Sequence, residues 1–429
     1  MTTQAICKTE ATGSDVVAGL LGAGFNGEIH RPGDAQYDVL RQSIVPGFDS
    51  RPLVVVEAYS RSDIQAAVRT ARQYGLPLAV QATGHGTRVP ADGGILLRTS
   101  AMTSVLVDPQ RKVAKVGPGT RWGAVIDAAG QFGLAPLAGS SRDVGVTGYT
   151  LGGGVGWLAR KYGFAADSVI RAEVITADGR VVTTSADEHP ELFWAIRGGS
   201  GNFGIVTSLE FRLYSVPQVH SGIVYFGIDN AAETLKFYRD WSATIPNELS
   251  TAILLTRLPD SGTRALAIKV TYAGEAELAE HLLKPLFEVA GPVLAGELKT
   301  TPFGESAMGG TPARYLDLVD TLADDLLDEL AKLPSATVEI RHWGGAMAHP
   351  GPGAGPVGHR EATYSLIINE EVPELSAVLR NSGRTFLNFL ADPANAKSAY
   401  CEADLARLRS VKRAYDPDNF FHLNHNIKP

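Results

Sequence analysis

The sequence predicts an α+β protein of two cooperating domains. Three observations carry that reading. The chain has 429 residues, and a single hydrophobic core stops growing near ~250–300 residues. Its first half opens on a strand–helix–strand unit and continues through short strands broken by glycine-rich turns. Near Val216-Pro217 the pattern changes to a mixture of strands and helices, which predicts a mostly antiparallel sheet with helices against it. The expected division is 1–216, completed by 399–429, against 217–398.

The first ~15 residues are polar and aperiodic, and termini of that kind fray. Leu53–Glu57 is a short apolar run. Ser62 or Asp63 is placed to cap the helix that follows, in which Ile64, Ala67, Val68 and Ala71 recur at helical spacing until Gly75 stops it. Leu78–Gln81 is the next strand and delivers the chain into Thr83-Gly84-His85-Gly86. Gly94–Arg98 and Val113–Val116 read as strands, and Thr120 is placed to cap a helix through Ala129. Val169–Thr176 and Val181–Thr183 flank Asp178-Gly179, a hairpin turn. Ile205–Leu213 alternates as a strand. Beyond Pro217, strands are expected at Ile223–Phe226, Ala265–Tyr272, Ala336–Ile340 and Tyr364–Asn369. Helices are expected at Ala231–Ala243, Glu275–Leu286, Asp320–Leu330 and Val372–Asn388. Met347–Gly358 is a Gly/Pro loop, and a last helix runs over Ala403–Tyr415.

A net charge of −7 argues against nucleic acid, whose binders carry a basic face, and against acidic membrane surfaces. No secretory signal and no apolar run of membrane-spanning length is evident. Two cysteines, Cys7 and Cys401, supply neither a disulfide framework nor a four-ligand zinc site, so no metal is expected. This composition suits a cytoplasmic protein.

Three segments carry chemistry. Val80–Thr87 places small residues after a strand, where backbone N–H groups approach an anion closely, and sets His85 between two glycines as an accessible nucleophile. Gly139–Gly156 holds seven glycines and makes neither a good helix nor a good strand. Such backbone suits a diphosphate or a flat ring, yet it is neither a P-loop nor a Rossmann fingerprint, which disfavours a nicotinamide dehydrogenase. Trp194–Thr207 is a third glycine-rich turn running into a strand. Each alone also admits a structural turn, the glycine run 139–156 least readily.

Together, and with the C-terminal Tyr415-Asp416-Pro417-Asp418-Asn419-Phe420-Phe421-His422-Leu423-Asn424-His425-Asn426-Ile427, these segments resemble the vanillyl-alcohol-oxidase type of flavoprotein, and within it the berberine-bridge-enzyme-like branch. The resemblance runs from about Arg51 to Pro429. It implies an FAD-binding domain of the PCMH type, built of two α+β subdomains, and a substrate domain whose antiparallel sheet covers the flavin. It implies FAD joined covalently to His85. Ala82, Thr83, Gly84, Gly86 and Thr87 are similar to the loop that holds the diphosphate. Gly139, Ser140, Ser141, Asp143, Val144, Gly145, Thr147, Gly148, Gly152, Gly153 and Gly154 are similar to the segment lining the ring system and ribityl chain. Gly204, Ile205 and Val206 are similar to a segment near the adenine, and Asn424 and Asn426 to the C-terminal return.

The chain departs from the branch in three places. Ser141 stands where many members carry a second flavin-linking Cys, which implies a single attachment. Val155 and Asn388-Phe389 stand where plant members have tyrosines, so the branch's usual base does not carry over. Val144, by contrast, keeps the small side chain that in the branch leaves room for oxygen, which implies an oxidase more than a dehydrogenase.

The implied activity is dehydrogenation of a small organic substrate, more in keeping with a secondary metabolite or amine than a simple sugar. Hydride would pass to flavin N5, and O2 would be reduced to H2O2. An oxygenating flavoenzyme on the same fold and a flavin-bearing protein without turnover are the rival readings. Tyr149, His342, His359 and Tyr400 are the polar candidates for catalysis.

Overall fold

The computed structural model describes residues 11–375, 378–379 and 381–429. Three large sheets organise them. The first has the order Glu28–His30, Val54–Glu57, Ile95–Arg98, Leu78–Gln81. Its last three strands are parallel and the edge strand is antiparallel. Ile64, Ala67, Val68 and Ala71 on the helix Arg61–Tyr74 pack over this sheet against Val54, Val56, Ile95 and Leu97. The helix ends at Gly75, whose φ of 65° lies in the left-handed region that glycine enters without strain.

The cap of that helix is Ser60, not Ser62 or Asp63. Ser60 Oγ accepts from the Asp63 backbone N–H at 3.2 Å, and the Asp63 carboxylate accepts from the Ser60 N–H at 2.9 Å. This reciprocal box is worth about 1 kcal/mol. Asp63 also accepts from the Asn26 N–H at 2.8 Å, which ties the preceding segment to the helix start.

The second sheet is antiparallel, in the order Val105–Asp108, Val113–Val116, Ile205–Arg212, Val169–Ile175, Val181–Ser185. The expected Asp178-Gly179 hairpin joins its last two strands. The last helix, Glu402–Tyr415, returns to this sheet's core through Leu408 and Val411, as does Ile427. Thr120 does not cap the helix Trp122–Gly130; its hydroxyl donates instead to the Ser104 carbonyl at 3.1 Å.

The third sheet has seven antiparallel strands, in the order Val293–Pro302, Gln218–Gly227, Arg264–Tyr272, Leu249–Arg257, Val338–His342, Tyr364–Ile368, Tyr315–Val319. The helices Ala231–Ser242, Ala276–Ala290 and Asp324–Lys332 bury their apolar faces on one side of it. Its other side is turned to the glycine-rich half of the chain: Trp157 packs against Ala252, Leu254 and Ala267.

Several expectations are corrected. The glycine run contains a short helix, Val146–Leu151. Residues 13–22 of the polar N-terminus form a helix capped by Thr12, whereas residues 1–10, with Cys7, lie outside the described residues. The expected helix Val372–Asn388 is replaced by short turns, 373–375 and 387–389, with residues 376, 377 and 380 outside the described set. Cys401 is a free, exposed thiol whose sulfur accepts from the Asp404 N–H.

Candidate active site

A cavity of about 450 Å³ opens beyond the carboxyl end of the strand Leu78–Gln81, where open parallel sheets place their ligands. One wall is the loop Ala82, Thr83, Gly84, His85, Gly86 and Thr87. A second is the glycine run, through Gly139, Ser140, Ser141, Val144, Gly145, Thr147, Gly148 and Gly152. Gly204, Ile205, Val206 and Asn424 close one end. The open face of the seven-stranded sheet closes the other, through Glu339, Arg341 and Ile367. Asp143, Gly153, Gly154 and Asn426, also singled out in the sequence, lie outside this lining.

The His85 loop is held from behind by residues the sequence reading passed over. Gln81 Nε2 donates to the Gln42 carbonyl at 2.9 Å, and Ser43 Oγ donates to the Gly84 carbonyl at 2.9 Å. Gly84 turns the chain with φ of 81°. His85 Nδ1 lies 2.9 Å from Thr83 Oγ1, which fixes the ring. Burial, reinforced by the Arg121 guanidinium and opposed by Asp143, pushes the imidazole below its ordinary pKa. The ring is therefore neutral near pH 7, the form with a nucleophilic lone pair.

The glycines around the cavity answer two demands. Gly139 and Gly154 make room for the Tyr149 ring, which a Cβ at either would meet at 2.8 and 2.4 Å. Gly86 and Gly148 instead line the cavity with open space where a side chain would stand. Asn388, at a departure from the branch, is an amide clamp. Its Oδ1 accepts from the Gly154 N–H at 2.9 Å and its Nδ2 donates to the Tyr149 carbonyl at 3.0 Å.

Two family descriptions match the chain: "FAD binding domain" over residues 52–185 and "Berberine and berberine like" over residues 380–428. (R)-6-Hydroxynicotine oxidase of Paenarthrobacter nicotinovorans is 29% identical across 94% of this chain and 97% of its own length. Xylooligosaccharide oxidase of Thermothelomyces thermophilus is 25% identical across 88% and 87%. Among solved structures, 6-hydroxy-D-nicotine oxidase of Arthrobacter nicotinovorans superposes with a TM-score of 0.84 at 27% identity, covering 95% of this chain and 99% of that one. The chain is an FAD-linked oxidoreductase, similar to the berberine-bridge-like enzymes.

The cavity of this oxidoreductase fits FAD on its own terms. Gly86 and Gly148 leave backbone accessible along the walls. Thr147 Oγ1 and Asn424 Oδ1 are buried lining atoms with no protein partner, and such atoms require a polar ligand.

Three of the four catalytic candidates do not line the cavity. His359 Nε2 faces the Ser398 carbonyl at 2.8 Å, and Tyr400 donates to the Gly198 carbonyl at 3.0 Å. His342 Nε2 accepts from Arg160 Nη1 at 3.1 Å. Arg160 is an internal strut that also donates to the carbonyls of Leu249 and Trp343. Burial, with Arg160 beside it, pushes His342 down to about 3. Tyr149 does reach the lining, but its ring packs edge-on against Trp122 and burial pushes the phenol up.

The His342 environment has a pH signature. Its folded pKa lies below the unfolded value of about 6.5, so the unfolded chain takes up the proton first. The contribution of the neutral ring is complete above that value. It is lost by about 1.4 kcal/mol per pH unit as pH falls toward the folded value. His342→Gln removes this component, so the slope of stability against pH between ~6 and ~4 flattens relative to wild type. Unfolding followed across pH measures it, and equal slopes overturn the assignment.

The sequence reading missed a charged cluster on the sheet wall. Glu339 is fully buried, with Arg341 Nη2 3.0 Å from one carboxylate oxygen and Lys269 Nζ 3.2 Å from the other. Thr311 donates to the second oxygen at 2.8 Å. Burial pushes this carboxyl up, but the two cations and the hydrogen bonds prevail and hold it below the ordinary value. Arg341 lies over the Trp157 ring, 4.3 Å from its centroid.

Proposed function

We propose that this chain is an FAD-dependent oxidase carrying its flavin on a single covalent bond to the His85 ring. The supporting observation is the neutral His85 imidazole, fixed by Thr83 in a glycine loop that lines the cavity. Bound FAD supplies a hydride acceptor at N5 and the route by which electrons reach O2 to give H2O2.

The protein's own residues do the rest. Ala82–Thr87 take the diphosphate, as a loop of small residues at a strand end suits an anion. Gly139–Gly152 form the wall against the ring and ribityl chain, with Thr147 hydrogen-bonding the cofactor. Ser141 lines the cavity as a hydroxyl, which cannot form a thioether, so attachment stops at one bond. Asn424 and Gly204–Val206 receive the nucleotide end. Residues 1–216 with 399–429 act as the cofactor domain, and residues 217–398 supply the sheet that places substrate against it. The substrate is a small organic molecule held on the face bearing Glu339, Arg341 and Ile367.

The test is a visible spectrum of the purified protein, repeated on the acid-precipitated pellet. Flavin bands that stay with the pellet are expected. Yellow released into the supernatant overturns the covalent bond, and no bands after reconstitution with FAD overturn the cofactor. With a substrate in hand, one H2O2 per substrate oxidised identifies the oxidase. A deficit of peroxide with oxygen found in the product identifies an oxygenase.

A further inference from the structure

We infer that the substrate of this oxidoreductase carries a carboxylate, or a planar oxyanion of like shape, and that Arg341 receives it. The inference rests on the reading of the cavity as the flavin site and names the substrate class for its sheet wall.

The cluster on that wall is unbalanced. Lys269 pairs across the sheet with Ala252, and Ala252 pairs with Arg341. One row of the sheet therefore carries two cations on either side of a fully buried alanine. Glu339, two residues before Arg341, projects to the same face, because side chains alternate along a strand. It is the only carboxylate among the described residues lining the cavity, whereas Arg88 adds a further cation to the lining. Two buried cations against one carboxylate leave one positive charge uncompensated, an expensive state unless an anion joins it.

The hydrogen-bond accounting points the same way. Both Glu339 oxygens are engaged, one by Arg341 and the other by Lys269 and Thr311. No carboxylate oxygen on this wall is left without a partner for an ammonium group. Arg341 is the opposite case. Its Nη2 is held by Glu339, while its Nε is buried and has no partner. The Trp157 ring beneath fixes the plane of the guanidinium. A planar cation set in one orientation, with donor capacity left over, is the geometry that recognises a carboxylate. The same argument weighs against an amine, one of the two substrate classes the sequence left open, since a cationic substrate would meet net positive charge.

The test uses the holoprotein as purified. Benzoate, phenylacetate and 4-hydroxybenzoate are titrated against their primary amides and benzylamine, read by the flavin visible bands and by Trp157-dependent fluorescence. The acids are expected to bind at least about tenfold more tightly than the amides, roughly the value of one charge-assisted contact of ~1.4 kcal/mol. Arg341→Gln brings the affinity for the acids down to that for the amides, and Arg341→Lys keeps part of the preference.

Equal binding of acid and amide by wild type overturns the inference, as does tighter binding of benzylamine. So do an acid preference that survives Arg341→Gln and the absence of any response to the acids. A sample without flavin bands overturns the cofactor reading instead, and fluorescence still decides the anion question.

Discussion

Replacing His85 by Ala is expected to leave the acid-precipitated protein colourless, where the wild-type pellet stays yellow. The argument is local. The ring nitrogen is the only nucleophile in a loop otherwise made of Ala, Thr and Gly. Thr83 holds that ring in place, and burial keeps it unprotonated. An alanine removes the nucleophile and leaves the loop's supports intact, because Gln81 and Ser43 hold it through main-chain carbonyls that do not involve position 85. The variant should therefore bind FAD reversibly, releasing it on denaturation. Its flavin content should fall on dialysis while wild type retains a full equivalent. The pH dependence of reconstitution gives a second reading. Burial lowers the imidazole pKa, so covalent incorporation should fall at a more acidic pH than an ordinary histidine would set. Flavin that remains bound to denatured His85→Ala protein would place the anchor on another residue.

The parts of the site that were legible in the sequence are those set by backbone. A strand of four residues, Leu78–Gln81, ends in small residues and glycine, and that loop lines the cavity. The end of the last helix was legible too, because Asp416-Pro417-Asp418-Asn419 stops a helix by local chemistry, whereas the return of the tail was implied by the resemblance alone. What escaped depends on long-range pairing. The strand Leu249–Arg257 is buried on both faces over most of its length and shows no alternation to read. The edge strand Val293–Pro302 is mostly exposed, and Gly296 breaks its pattern. Lys269 and Arg341 lie 72 positions apart in the chain and meet only through the register with Ala252. One signal was available: Glu339 and Arg341 stand two apart and alternate with Val338 and Ile340, so two charges had to share one face of the strand. The neighbouring His342 drew attention as a titratable group, and alternation turns it to the opposite face, against Arg160.

The Lys412→Met variant should show the largest loss of stability of any single substitution away from the cavity. Lys412 and Asp416 are both fully buried and lie 2.7 Å apart, one turn from each other at the end of the last helix. The ammonium also donates to the carbonyls of Asn202 at 2.7 Å and Phe421 at 3.0 Å. The carboxylate accepts from the N–H groups of Phe420 and Phe421 at 2.7 and 2.8 Å. Asn202 in turn donates to the His425 carbonyl at 3.0 Å and accepts from the Ile427 N–H at 2.8 Å. One ion pair therefore fastens the glycine turn 198–204 to the tail that carries Asn424 into the cavity. Methionine matches the volume but leaves the Asp416 charge buried without its cation, a loss of about 3–5 kcal/mol. Burial lowers the Lys412 pKa, and Asp416 opposes that shift. Chemical denaturation of the apo and flavin-loaded proteins measures the loss, with a lower midpoint in both. Because the tail lines the cavity, flavin loading in the variant should fall as well. Adding Asp416→Asn to Lys412→Met removes the orphaned charge and should restore part of the stability. Failure of the double variant to recover any would mean that the main-chain contacts, and not the charge balance, hold the tail.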